Sequence, residues 1–237
     1  MRPRPVPDRV GVAAVIWVMP ESDLRDAIDA ALVGRRLLEH PFYRRWEAGT
    51  LEPAELAAYA EQYRHVEQAL PGVLAVIVEG LPEGPARRLA SSTLADELGS
   101  PRPHVELFED FATSVGARPG VPATPATARL IAGQRATAAR DPWAGLAGLA
   151  AYEVQAAAVA SSKGEGLRQR YGVEPAGTAF WDVHAALETD HADWSLAALG
   201  AAEADSTVLV DAARAAADAW WEFLDERQAA APAGVGA

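Results

Sequence analysis

The sequence predicts an all-α fold, a bundle of about seven or eight helices, on three observations. Half of the 237 residues are hydrophobic and alanine dominates, a composition that favours helix throughout. No stretch alternates apolar and polar residues with the period of a half-buried strand. Prolines, glycines and capping residues recur at helix-length intervals, and no internal repeat is present.

Ser22 caps a first helix expected to reach about Glu39, where His40-Pro41 breaks it. A short helix carries Phe42, Tyr43 and Trp46 to Gly49. Pro53 opens a helix expected to reach Gly80 with a kink at Pro71, and Pro85 opens another ending near Glu97-Leu98-Gly99. Ser100-Pro101-Arg102-Pro103 reads as a loop, and His104 begins a helix reaching Val115. Residues 116–125 (GARPGVPATP) read as a surface loop within one domain, not a boundary. Helices follow over about 126–139, 142–162, 176–199 and 203–230, with short connections that imply antiparallel neighbours.

This length suits one domain with a sizeable core, over residues 19–228. The apolar run at 11–19 behind Arg2, Arg4 and Arg9 is too short to span a bilayer and lacks a small-x-small cleavage site. Met19 is read as the native start, with 1–18 an extension lacking fixed structure and 229–237 a disordered tail. A net charge of −12 argues against non-specific nucleic-acid binding and against an anionic membrane surface. The absence of cysteine excludes disulfides, thiolate metal sites and a cysteine nucleophile. The absence of an export signal suggests a cytoplasmic address.

The most informative residues are His184, Glu188 and His191, spaced H-x3-E-x2-H on one helix. At about 100° per residue they fall near 0°, 40° and 340°, so two imidazoles and a carboxylate share a face. Trp181, Leu187 and Trp194 lie nearby on the wheel, which suggests that the face turns inward. Such a group is costly to bury unless it binds something. Glu153 sits in the nearly uncharged run Leu149-Ala150-Ala151-Tyr152, and the loop between Glu97 and His104 can bring those two together. Three histidines and three glutamates match the ligand count of a carboxylate-bridged dinuclear site in a helical bundle. Oxygen-rich ligation without thiolate suits iron or manganese, whereas a single zinc would leave three acids unexplained. His40 and His65 read as structural or exposed. Lys163 is the single lysine among 21 basic residues; an amine with a tunable pKa must be lysine, although codon bias explains few lysines equally well.

Four segments resemble the heme-oxygenase-like diiron oxidases, relatives of the TenA and PqqC proteins: 39–74 around EHPFYRRW, 95–111 (ADELGSPRPHVELFEDF), 152–172 beginning YEVQAAAV, and 180–194 (FWDVHAALETDHADW). The resemblance implies a heme-oxygenase-like bundle and an oxidoreductase using two Fe(II) ions, or a manganese–iron pair, with O2 as co-substrate. By it Glu97, His104, Glu153, His184, Glu188 and His191 match the six metal ligands in order, Glu188 standing where aspartate is usual. The pattern is similar to the CADD-type para-aminobenzoate synthase branch, in which a tyrosine of the protein is consumed. Tyr43 matches that tyrosine, Lys163 a lysine implicated as amine donor, and Tyr152 a second tyrosine beside a glutamate ligand.

The chain departs from the pattern in places. Gln155-Ala156 replaces an apolar residue and proline, and an unbroken helix would set Lys163 about 15 Å along the axis from Glu153, away from the metals. Arg64 replaces an aromatic and is read as able to pair a substrate carboxylate. Glu67 replaces an apolar residue, and is either a further carboxylate near the metals or a solvated side chain. Two other readings stand beside self-consumption: a diiron oxygenase acting on an exogenous amine, amino acid or fatty acid, and a metal-free PqqC-like oxidase or interaction protein. The expected partners are a small molecule or Tyr43 itself and an external electron donor. A homodimer is expected from the resemblance and from the Trp220-Trp221 pair.

Overall fold

The computed structural model describes residues 21–99, 102–202 and 204–230. Among them it contains α-helices and one 3-10 turn but no strand. The helices are α1 (Glu21–Ala31), α2 (Pro41–Ala48), α3 (Pro53–Gly80), α4 (Pro85–Gly99), α5 (His104–Ser114), α6 (Pro125–Arg140), α7 (Pro142–Arg170), α8 (Pro175–Gly200) and α9 (Ser206–Ala229). Six of these nine begin at a proline, whose missing N–H costs nothing in a first turn and whose fixed φ suits the helix.

The nine helices among the described residues correspond one for one to the nine segments read in the sequence, short α2 and α5 included, although the expected total is about seven or eight. The first helix stops at Ala31 rather than near Glu39. Gly34 takes a left-handed φ of 74°, and Leu37–Glu39 forms the 3-10 turn. α3 continues through Pro71 to Gly80. α7 runs eight residues beyond the expected 162, because its glycines serve packing and do not end it. A Cβ on Gly166 would lie 2.9 Å from Cδ1 of Trp46, so only glycine lets that indole lie against the helix. The expected extension at 1–18 and residues 231–237 of the expected tail lie outside the described residues.

α7 packs along α8 and α9, and α3 packs against α4, α5 and α6. The core has two parts. One is aromatic, with Trp46, Tyr59, Tyr63, Phe108, Phe111, Trp181 and Phe223. The other is aliphatic, with Leu24, Ile28, Leu74, Ile77, Leu146 and Leu196. A cavity lined from both parts, chiefly by α3, α4, α7 and α8, holds Glu97, Glu153, His184, Glu188 and His191. Trp220 stacks on Tyr152 at 4.7 Å inside the core, and Trp221 packs edge-on against His40 at 4.6 Å. That tryptophan pair is therefore largely used within the chain.

Candidate metal centre

All six sequence-predicted ligands are buried, none more than 8% exposed. Glu97 comes from the last turn of α4, His104 from the first residue of α5, Glu153 from α7, and His184, Glu188 and His191 from one face of α8. Glu97, Glu153, His184, Glu188 and His191 line one cavity of about 40 Å³. That is room for about three water-sized particles. His104 stands beside it, its ring 4.5 Å from that of His184. Donor atoms of Glu97, His104 and His184 lie within 4.8 Å of one another.

The orientations favour a common cation. Nδ1 of His104 is 3.0 Å from Oε2 of Glu97, yet neither His104 nitrogen makes an aligned hydrogen bond. The ring and the carboxylate thus face a shared point more than each other. Nδ1 of His184 contacts the Phe180 carbonyl at 2.8 Å, so Nδ1 carries the hydrogen and Nε2 offers its lone pair. Nε2 of His191 contacts Oδ2 of Asp96 at 3.2 Å, which leaves Nδ1 free to ligate, 3.8 Å from Glu188. Glu153 Oε2 is buried without a partner.

Protonation follows from this crowding. Burial lowers His184 to about 4, keeping it neutral. Burial raises Glu153 to about 8, and burial together with Glu153, Glu97 and Glu67 pushes Glu188 well above the carboxylate range. Glu97 is also pushed up by burial, but His104 beside it and the charges of the three imidazoles bring it below its ordinary value. Glu153 and Glu188, whose burial favours the protonated form for want of a counter-charge, stand with Glu97 and the neutral imidazole of His184 as a donor set that a divalent cation would satisfy. The residues fit iron.

One contributor escaped the sequence reading, and one was left open by it. Asp96, beside Glu97, holds His191. Glu67, which the sequence left open, is 4% exposed and lines the same cavity, so it is not a solvated residue. Arg64 is corrected: its guanidinium forms a two-pronged ion pair with Glu109 at 2.6 and 3.0 Å and donates to the Arg118 carbonyl. It is committed within the fold and does not line the cavity. His40 caps α2, accepting from the Phe42 amide, and half-buried His65 contacts the Val121 carbonyl, both structural.

The lysine and tyrosines form a second group. α7 is unbroken, so Lys163 lies ten residues beyond Glu153 and away from the cavity lining. Its amine is 1% exposed, 2.5 Å from the Tyr59 hydroxyl and 4.4 Å from the centroid of the Tyr43 ring. Trp181, Tyr59 and Tyr63 surround it at 4.3, 4.9 and 5.0 Å. Burial drives its pKa well down, opposed by the charge of Glu67. The Tyr43 hydroxyl meets that of Tyr59 at 2.9 Å. Tyr59 stacks on Tyr63 at 5.4 Å, and Tyr63 bonds Tyr152 at 2.7 Å, hydroxyl to hydroxyl. Tyr63 and Tyr152 line the cavity, so an unbroken aromatic contact runs from it to Tyr43.

An all-α bundle holding buried carboxylates and imidazoles around one cavity defines a class of helical non-heme metalloproteins. A family model described as iron-containing redox enzyme matches residues 57–221, and the chain belongs to that family. It is an oxidoreductase. A 4-aminobenzoate synthase of Nitrosomonas europaea is 32% identical over 225 residues, 87% of this chain and 92% of the relative. One from Chlamydia muridarum is 30% identical over 207 residues, 84% and 88% of the two chains. Among solved structures, a CADD-like protein of unknown function from Nostoc punctiforme superposes with a TM-score of 0.75 at 15% identity, covering 89% of this chain and 98% of that one. A TenA homologue from P. horikoshii gives 0.70 at 16%, covering 88% and 98%. These establish the heme-oxygenase-like fold. No helix among the described residues is long and apolar enough to cross a membrane.

Proposed function

We propose that this chain is an O2-dependent dinuclear-iron oxidase that makes 4-aminobenzoate from its own Tyr43, with Lys163 supplying the nitrogen. Glu97, His104, Glu153, His184, Glu188 and His191 hold the two ions. The carrying observation is that the Lys163 amine and the Tyr43 hydroxyl share one partner, the Tyr59 hydroxyl, at 2.5 and 2.9 Å. The only lysine of the chain therefore stands over the Tyr43 ring, 4.4 Å from its centroid, and against the partner of the hydroxyl that a nitrogen must replace. The relatives' names supply the product class.

Bound iron would supply the reduction of O2 and the removal of electrons from the protein. The residues do the rest. Burial holds Lys163 neutral, so its lone pair is available as a nucleophile. Tyr59 takes and returns protons between the amine and the Tyr43 phenol. The stacked tyrosines provide a continuous path by which Tyr43 loses electrons without touching the cavity. To become 4-aminobenzoate the oxidised ring would bond Nζ of Lys163 and release its oxygen as water. The Cε–Nζ bond breaks as Cε is oxidised to an aldehyde whose oxygen comes from water. The Cα–Cβ bond breaks with Cα keeping the electron pair and taking a proton, which leaves glycine at that position, and the benzylic carbon is oxidised to a carboxylate. O2 is the oxidant, and a reductant outside the chain completes the inventory. A cavity with room for about three waters favours this over an exogenous organic substrate.

The test is direct. The anaerobic protein receives two equivalents of Fe(II), then air. Loss of side-chain mass in the peptide containing Tyr43, with 4-aminobenzoate in the filtrate, is the expected result. An unchanged peptide after O2 consumption, or a Tyr43→Phe variant that still forms product, overturns the proposal.

A further inference from the structure

We infer that Glu67 is a seventh protein ligand to the metal pair, supplied by α3, so that the site is built from four carboxylates and three imidazoles. This rests on the dinuclear reading above and adds a ligand that the six-residue pattern does not include.

Glu67 is 4% exposed in the middle of α3 and lines the cavity with Glu97, Glu153 and Glu188. Its Oε2 is buried and has no hydrogen-bond partner. No salt bridge to it is formed among the described residues; the Tyr63 hydroxyl is the side chain that hydrogen-bonds the carboxylate, and the buried amine of Lys163 acts on it only through its charge. A buried carboxylate oxygen left bare is costly unless a cation meets it.

Charge gives a second, independent reason. Two divalent ions with three carboxylates and neutral histidines leave one positive charge in a buried site. A fourth carboxylate brings the site to neutrality, the cheapest state at low dielectric.

The test is equilibrium binding of Mn(II) to the metal-free protein, read by calorimetry and by the loss of the free-ion resonance signal. Wild type should take up two ions per chain. Glu67→Gln, which preserves shape, should bind one ion with near wild-type affinity and the other about 100-fold or more weakly, beyond the roughly 10–100-fold cost of losing a residue that only orients a ligand. Metal-free Glu67→Gln should melt no lower than wild type, showing that it folds, and Glu79→Gln at the exposed end of α3 should bind as wild type. A Mn-soaked crystal should place a Glu67 oxygen about 2.0–2.3 Å from an ion. Two ions bound by wild type with Glu67→Gln unaffected would overturn the role of Glu67 alone. Fewer than two ions bound by wild type would overturn the dinuclear reading and this inference with it.

Discussion

Replacing Lys163 with methionine keeps the side chain's reach and removes its amine. In the wild type that amine is 1% exposed, enclosed by aromatic rings, and bonded to the Tyr59 hydroxyl, with no carboxylate in ion-pair contact among the described residues. Burial therefore holds its folded pKa well below the ordinary 10.5. Between that lowered value and about 10.5 the unfolded chain binds the proton and the folded chain does not, so wild-type stability must rise with pH across the window. The slope reaches about 1.4 kcal/mol per pH unit. For a chain of this size that is about 3–6 °C per pH unit. Lys163→Met lacks the titrating group and lacks this climb. Thermal melts of the two metal-free proteins should show the variant ahead at neutral pH, and its lead shrinking as pH rises. Titrating groups that do not feel Lys163 cancel in the difference; Glu67, whose charge acts on the amine, is the exception. A wild-type-minus-variant difference that stays flat from about pH 6 to 10 would refute the claim that this amine is held neutral.

Asp96→Asn should leave the fold intact and weaken Fe(II) or Mn(II) binding about 10–100-fold in equilibrium dialysis, because His191 loses the carboxylate that orients it. Glu153, raised to about 8 from 4.5, keeps its proton in the folded state over that interval while the unfolded chain releases it. The metal-free protein should therefore lose stability as pH rises through that range, by up to about 1.4 kcal/mol per unit from this group. Glu153→Gln should flatten the decline in urea midpoints. Gly166→Ala puts a methyl 2.9 Å from the Trp46 indole and should cost about 1–3 kcal/mol in denaturant midpoint, with altered tryptophan emission.

The helices and the α8 ligand triad were legible because they depend on near neighbours in sequence. Proline at a first turn and the angular coincidence of His184, Glu188 and His191 are local facts. Glu97, His104 and Glu153 were legible by composition, as acids and imidazoles where solvent gave no reason for them. Asp96 was not, since a second acid beside Glu97 reads as a surface residue until His191, 95 positions away, is seen against it. Arg64 misled for the same reason: its partner Glu109 is 45 residues distant. The rise of α7 correctly set Lys163 far from Glu153. What stands at the far end, Tyr43 and Tyr59 from α2 and α3, is a tertiary fact that periodicity does not carry. The helix expected to stop at about 162 runs on past Gly166, where glycine makes room for the Trp46 indole.

Tyr43 is among the largest fully buried side chains of the molecule, wedged between Phe42, Trp46 and Tyr59. Emptying such a position costs on the order of 3–5 kcal/mol, a sizeable part of the 5–15 kcal/mol that typically holds a domain together. Under the proposed reaction, each chain that has delivered its product keeps a hole at its centre. The used molecule would breathe more, expose its interior more often and fall sooner to proteases, so that turnover chemistry and the clearance of exhausted copies share one cause.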